Sequence, residues 1–116
     1  MENTTINVIE TIGVSLGVEP RNGQLLFELI SKALKERKKV SVSFQKMEVL
    51  TISFLHLAVA QLYRDFSESI IEDHLEITDL SDSEKVKLKR VIDRVKLDSK
   101  DSKEPKRSLK KSKRLN

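Results

Sequence analysis

Thr51 and Ser53 carry the hydroxyl groups that are best placed for chemistry in this sequence. They lie between residues 40–44, where apolar and small polar side chains alternate as in a strand, and an apolar segment that predicts a helix. In α/β sheets, ligands gather at the carboxyl ends of strands, and helix amino ends offer free N–H groups to phosphate. The two hydroxyls are therefore candidates for phosphorylation or partner binding, although one of them could serve only as the helix N-cap.

The other candidates for catalysis or metal binding are few. The chain has no Cys, which excludes a thiol nucleophile and a thiolate metal site. His56 and His74 are not spaced with carboxylates as a metal site requires, and the acidic pair Glu72 and Asp73 is predicted to lie in a solvated loop. The three Gly residues form no phosphate-binding array. We therefore expect a non-catalytic protein that uses neither a cofactor nor a metal.

A series of alternating strands and helices must position the turn at Thr51 and Ser53. This order is typical of an α/β sheet, and we predict one small α/β domain with a mixed sheet and helices. The predicted elements are an extended segment at residues 5–16, a helix at 23–37 capped by Asn22, a strand at 40–44, a loop at 45–50, a helix at 53–66, a strand at 75–77, and a helix that begins at a capping box, Ser81 to Glu84, and runs to about residue 97.

The helix predicted at residues 53–66 is apolar nearly all round. Such a helix either lies between other elements or exposes an apolar face that a partner covers. If a partner covers it, the exposed part would lie near Ala60 and Tyr63.

Positive charge is concentrated at the carboxyl end of the chain. Residues 99–116 hold eight basic and two acidic residues, whereas acidic residues slightly outnumber basic ones in the rest of the chain. Since these residues contain few apolar side chains, we predict a domain at residues 1–98 and a disordered tail at 99–116. The tail would contact nucleic acid or an acidic partner loosely, or only keep the protein in solution. The residues that would make this contact are Lys106, Arg107, Lys110, Lys111, Lys113 and Arg114.

The hydropathy pattern predicts a cytoplasmic protein that does not enter a membrane. No apolar stretch approaches the roughly 20 residues of a membrane-spanning helix, and the amino terminus lacks the features of a secretory signal. With no Trp, one Tyr and four Phe, the chain is poor in the aromatic side chains that stack on single-stranded nucleic acid. The sequence leaves open whether the chain forms a homo-oligomer.

Four stretches of the chain resemble the STAS-like family, a group of small bacterial domains of unassigned function. They are Glu-Pro-Arg-Asn-Gly at 19–23, Val-Ser-Val-Ser-Phe at 40–44, Val-Leu-Thr-Ile-Ser-Phe at 49–54, and Leu-Glu-Ile-Thr-Asp-Leu-Ser at 75–81. The third stretch is the most specific, because the family has a Thr-x-Ser-Phe-type turn there. The resemblance extends over about residues 12–97.

Related STAS domains include anti-sigma factor antagonists, which carry an Asp-Ser-Ser-Gly-Leu-type turn. A kinase of the histidine-kinase-like ATPase superfold phosphorylates the first Ser and so controls which partner binds. Here Thr51 stands at the Asp position, Ile52 at the phosphorylated Ser, Ser53 at the second Ser, and Phe54 at the Gly. The resemblance implies a regulatory module that binds a protein partner of this ATPase class, with Thr51, Ser53 and Phe54 as its phosphorylation or partner-binding turn. The alternative is a protein that associates with nucleic acid through its basic tail.

Overall fold

The computed structural model describes the backbone of residues 3–103 and the side chains of residues 3–98. The strands in this range are β1 (Asn3–Asn7), β2 (Leu16–Gly17), β3 (Lys39–Ser43), β4 (Val49–Leu50) and β5 (Leu75–Thr78). The helices are α1 (Val8–Ile12), α2 (Pro20–Lys35), α3 (Ile52–Leu55), α4 (Leu62–Asp65), α5 (Glu68–His74) and α6 (Asp82–Lys103). A π-helical segment, His56–Ala60, joins α3 to α4, and we call the three together the central helix. The predicted α/β fold is confirmed.

The main sheet consists of β1, β3 and β5, with β3 in the centre. Both pairings are parallel, so the prediction of a mixed sheet is wrong in this detail. The reason is that a connection containing helices follows β1 and another follows β3. Each connection returns the chain to the end of the sheet where the preceding strand began, so the next strand runs in the same direction. One face buries Ile6, Val40 and Val42 against the helices, whereas the other carries small polar and charged side chains.

The first segment, which was predicted to be extended, contains the short helix α1. The Asn7 side chain accepts a hydrogen bond from the backbone N–H of Glu10 at 3.0 Å and so caps the helix. Gly13 ends α1 with a φ of 81°, a left-handed conformation that glycine adopts readily. These local capping signals outweigh the alternating pattern on which the strand prediction rested.

Helix α2 begins at Pro20, earlier than predicted, and Asn22 is not its cap. Proline suits the first turn of a helix because its fixed φ matches the helix and its missing N–H would have no partner there. The N-cap residue is Glu19, whose side chain makes no capping hydrogen bond. The apolar residues of α2 that are buried are Leu26, Ile30, Ala33 and Leu34, whereas Leu25 and Leu29 are partly exposed.

The central helix lies between α2 and α6 and covers nearly the range predicted for it. Most of its apolar surface is therefore buried within the protein itself, whereas Ile52 at its start remains about half exposed. Ala60 is fully buried and Tyr63 is partly buried, so the predicted partner-covered face near these residues is wrong.

Two short elements, β4 and α5, do not appear in the sequence prediction. Strand β4 lies in the predicted loop at residues 45–50 and pairs in parallel with β2. Helix α5 includes Glu72 and Asp73, which were predicted to lie in a loop, and its N-cap is Ser67, whose hydroxyl accepts a hydrogen bond from the N–H of Ile70 at 3.3 Å. Elements this short contain too few residues to show a hydrophobic period.

Helix α6 begins at the predicted capping box. The backbone N–H of Ser81 donates to the Glu84 carboxylate at 3.0 Å, and the N–H of Glu84 donates to the Ser81 hydroxyl at 3.2 Å. The helix continues to Lys103, beyond its predicted end. Most of the predicted disordered tail, residues 104–116, lies outside the described residues, so the disorder of the tail stays a prediction. Among residues 3–103, no helix is both long and apolar enough to cross a membrane.

Candidate functional site

Thr51 is the N-cap of the central helix and ties this helix to β2. Its Oγ1 accepts a hydrogen bond from the backbone N–H of Phe54 at 3.1 Å. The same hydroxyl donates to the carbonyl oxygen of Gly17 at 3.4 Å, and the Thr51 backbone N–H donates to that oxygen at 3.1 Å. The capping role that the sequence left open between Thr51 and Ser53 therefore belongs to Thr51.

Phe54 lies in the core and is not accessible to a partner. Its exposed fraction is 0%. The ring packs where β2 and α2 approach the central helix, because Cβ atoms added to Gly17 and Gly23 would lie 3.2 and 3.6 Å from its ring carbons. The absence of side chains at these two glycines makes room for the ring.

Ser53 is the one member of the predicted turn that is exposed. It lines an open cleft of about 430 Å³ between the central helix and α6, which we call the Ser53 cleft. Among residues 3–98, its hydroxyl has no hydrogen-bond partner. The residues lining the cleft are Ile52, Ser53, His56 and Leu57 from the central helix, and Arg90, Val91 and Arg94 from α6.

The π-helical segment shapes the wall of the cleft formed by His56 and Leu57. The backbone N–H of Gln61 donates to the His56 carbonyl at 3.1 Å, and its side-chain amide donates to the Leu57 carbonyl at 3.3 Å. These bonds satisfy carbonyls at the irregular turn. π-Helical turns of this kind occur frequently at functional sites.

Two arginines give the cleft its charge. Arg90 and Arg94 stand one turn apart on the same side of α6. Arg94 lies 3.9 Å from the Asp98 carboxylate, with both side chains largely exposed, so this ion pair is weak. Arg90 makes no ion pair with any residue from 3 to 98. Lys87 anchors α6 beside the cleft by donating to the Leu50 carbonyl at 3.2 Å.

Three exposed apolar side chains stand on β2, on β4 and at the start of the central helix, and we call them the apolar strip: Leu16, Val49 and Ile52. Leu16 and Val49 are opposite each other in the pairing of β2 with β4. The three side chains are 49%, 42% and 47% exposed. Ile52 belongs to both surfaces, because it also lines the cleft. Adjacent exposed apolar side chains of this kind are characteristic of interaction sites.

Comparison of the sequence with models of known protein families identifies the family of this chain. The model of the STAS-like domain of unknown function (DUF4325) matches residues 22–85, more than half of the chain. The chain belongs to this family. The resemblance inferred from the four sequence stretches is thereby confirmed. No significant match is found among curated proteins or among solved structures.

The family match covers only part of the Ser53 cleft. Ser53 and His56 lie within the matched range, whereas Arg90 and Arg94 follow it. The cleft of this STAS-like domain therefore joins a segment inside the family match to a helix that extends beyond it. From the sequence, His56 is considered only as a metal ligand, and neither arginine is identified as a site residue. The four-residue spacing of Arg90 and Arg94 in a predicted helix was a signal that they share a face, but no local pattern connects α6 with Ser53.

A second polar cluster fastens α6 of the STAS-like domain to α4 and α5. The Lys96 ammonium lies 2.6 Å from the Glu68 carboxylate and 5.2 Å from the centre of the Tyr63 ring. Burial raises the pKa of Tyr63, and the positive charge of Lys96 partly opposes this shift. The hydrogen bond to Glu68 raises the pKa of Lys96. This cluster stabilises the position of α6 along the central helix.

The remaining predicted site residues lie away from the Ser53 cleft or outside the described residues. His74 lies at the end of α5, where its Nδ1 is 3.0 Å from the carbonyl oxygen of Ile70. Across the described part of the chain, no group of three or more His, Cys, Asp or Glu side chains is arranged to hold a metal ion. The residues of the predicted tail contact that lie beyond the described range are Lys106, Arg107, Lys110, Lys111, Lys113 and Arg114.

Proposed function

We propose that this STAS-like domain is a non-catalytic regulatory module that binds a protein partner through the Ser53 cleft and the apolar strip. The observation that carries the proposal is the exposure of Ser53 in a cleft that combines apolar and cationic side chains. Interfaces commonly combine exposed apolar groups with arginine, and both are present on this surface. Thr51 and Phe54 stabilise the turn beneath this surface and do not themselves contact the partner.

The proposed partner is an ATPase of the histidine-kinase-like superfold. Support comes from the resemblance to anti-sigma factor antagonists, which interact with such a kinase through the matching turn. The positive charge of Arg90 and Arg94 favours an acidic surface on the partner.

The proposal includes regulation by phosphorylation of Ser53. The Thr51 hydroxyl is engaged in two hydrogen bonds, whereas the Ser53 hydroxyl is exposed beside the cleft. A phosphate on Ser53 would add up to about two negative charges, which the nearby guanidinium groups could pair. The modified side chain would then occupy the cleft and neutralise its charge, and so weaken binding of an acidic partner.

A pair of charge-introducing variants tests this function. Ser53→Asp places a carboxylate in the cleft. Ser69→Asp is the matched control, because Ser69 is also exposed and also stands two residues after an N-cap, but in α5. Binding to purified ATPases encoded near the gene for this chain is measured by titration calorimetry, and circular dichroism verifies that both variants fold.

We expect Ser53→Asp to weaken binding about tenfold or more, a loss of roughly 1.4 kcal/mol, and Ser69→Asp to leave the affinity nearly unchanged. Equal affinities for the original protein and both variants would remove Ser53 from the interface. Failure of the unmodified chain to bind any of these ATPases would contradict the proposed partner class.

A further inference from the structure

The Ser53 cleft has the composition of a site for an acidic group that is attached to an apolar body. Ile52, Leu57 and Val91 provide apolar walls in a volume of about 430 Å³. Binding pockets of roughly 300–1,000 Å³ are typically apolar with a few polar groups that orient the ligand. Here Ser53 and His56 accompany the two arginines as polar groups.

The charge in this cleft is of one sign, unlike that of three other grooves on the protein. Its charged lining residues are Arg90 and Arg94, and no carboxylate lines it. The groove between α2 and α4 mixes lysines with Glu28, Glu36 and Asp65, and the grooves at the start of the main sheet and beside Tyr63 also contain both signs. A cleft whose charged lining residues are all cations attracts an acidic group.

The two guanidinium groups are available to bind such an acid. Arg94 makes only the long, exposed ion pair with Asp98, and Arg90 has no ion pair among residues 3–98. A guanidinium group binds a carboxylate through two parallel hydrogen bonds, and such charge-assisted bonds are stronger than neutral ones. Two arginines on successive turns can therefore hold one carboxylate between them.

We propose that the cleft binds a short segment of the protein partner in which an acidic side chain stands next to an apolar one. The acid pairs with Arg90 and Arg94, and the apolar side chain packs on Ile52 and Leu57. A protein segment fits better than a small free acid, because the cleft is open and its lining residue Ile52 is one of three exposed apolar side chains that a longer ligand can cover. This inference rests on the proposed function and specifies the chemistry of the partner.

Selection of peptides on the intact protein tests the inference. A phage-displayed library of random short peptides is selected against the full chain, and the enriched peptides are synthesised. Their affinities are then measured for the original protein, for Arg90→Gln with Arg94→Gln, and for Lys85→Gln with Lys89→Gln. The last variant is the matched control, because it removes two exposed cations from the same helix at residues that line a different groove.

We expect the enriched peptides to share an Asp or Glu next to an apolar residue. Their affinity should fall about tenfold or more for the arginine variant, or when the acid is replaced by its amide, and should change little for the lysine variant. Enrichment of peptides without an acid, equal losses in the two variants, or no enrichment would overturn the inference.

Measuring binding of the ATPase to the arginine variant as well separates this inference from the proposed function. If the acidic peptides bind as expected and the ATPase does not, the chemistry of the cleft stands and the proposed partner class fails. If the ATPase binds in a manner that depends on Ser53 but not on the arginines, the inference about the acidic segment fails and the proposed function stands.

Discussion

At the scale of single residues, Thr51 and Ser53 differ in the surroundings of their hydroxyl groups. The Thr51 hydroxyl caps the central helix and bonds to Gly17, whereas the Ser53 hydroxyl is exposed in the cleft. Loss of an N-cap costs about 1 kcal/mol, and surface substitutions usually change stability by less than about 0.5 kcal/mol. We therefore expect Thr51→Ala to lower the free energy of unfolding by about 1 kcal/mol in urea titrations, and Ser53→Ala to have almost no effect. An equal loss in both variants would show that Ser53 also has a structural role.

The pKa values of Tyr63 and Lys96 predict how stability depends on pH. Burial raises the pKa of Tyr63, and the hydrogen bond to Glu68 raises that of Lys96, so folding favours the protonated form of both groups. This stabilisation is complete below the unfolded pKa values, and it is lost as the pH rises through the folded ones. The free energy of unfolding should therefore decrease above about pH 10.

Absorbance of tyrosinate can test this behaviour directly, because Tyr63 is the only Tyr and the chain has no Trp. The titration midpoint should be higher in the folded protein than in urea. Lys96→Gln should raise the folded midpoint further, because the Lys96 charge stabilises the tyrosinate. A folded midpoint at or below the midpoint in urea would contradict the burial of this side chain.

At the scale of elements, the close approach of β2 to β4 and the central helix positions the turn before Ser53. A Cβ at Gly17 would lie 2.6 Å from a methyl carbon of Leu50 and 3.1 Å from the carbonyl oxygen of Val49. Overpacking of this kind typically costs about 1–3 kcal/mol, so Gly17→Ala should lower the urea midpoint clearly. The neighbouring Leu16→Ala is the control, because Leu16 is about half exposed and should change stability little. Equal stability of Gly17→Ala and the original protein would contradict this packing.

The length of an element determined how well it could be predicted. Helix α2, the central helix and the start of α6 are predicted within a few residues, because each helix repeats its apolar side chains over several turns, whereas α6 extends six residues beyond its predicted end. Strand β4 and helix α5 are too short for such a period, and α1 was mistaken for a strand because its caps, Asn7 and Gly13, were not recognised. The local sequence pattern predicts the turn at Ser53. The arginines of the cleft lie near this turn only because α6 packs against the central helix. No local sequence signal specifies that packing.

At the scale of the whole molecule, we assign binding to the folded domain rather than to the basic carboxyl end. Residues 104–116 contain only Leu109 and Leu115 as aliphatic side chains. We expect a protein that ends at Lys103 to unfold within about 1 kcal/mol of the full chain and to bind the partner equally well. Any binding of DNA through the basic residues should be lost on truncation and should weaken steeply with salt in the full chain. Loss of partner binding on truncation would favour the alternative function.

A second surface competes with the Ser53 cleft for the role of interface. Parallel sheets are usually covered on both faces, but here one face is left uncovered by residues 3–103 and carries polar residues such as Thr5, Ser41 and Glu76. Its side chains satisfy one another in part, since the Ser41 hydroxyl donates to the Glu76 carboxylate at 3.1 Å. The Ser53 cleft and its apolar strip offer exposed apolar area next to the positive charge of Arg90 and Arg94, and we therefore assign binding to the cleft.

Amide hydrogen exchange of the complex with the ATPase tests this assignment most directly. Exchange is followed by mass spectrometry in the free chain and in the complex, because buried interface amides exchange more slowly. We expect binding to slow exchange at residues 52–57 and 90–94, with little change at residues 3–7 and 39–43. Slower exchange confined to the strands of the main sheet, or to residues 104–116, would contradict it.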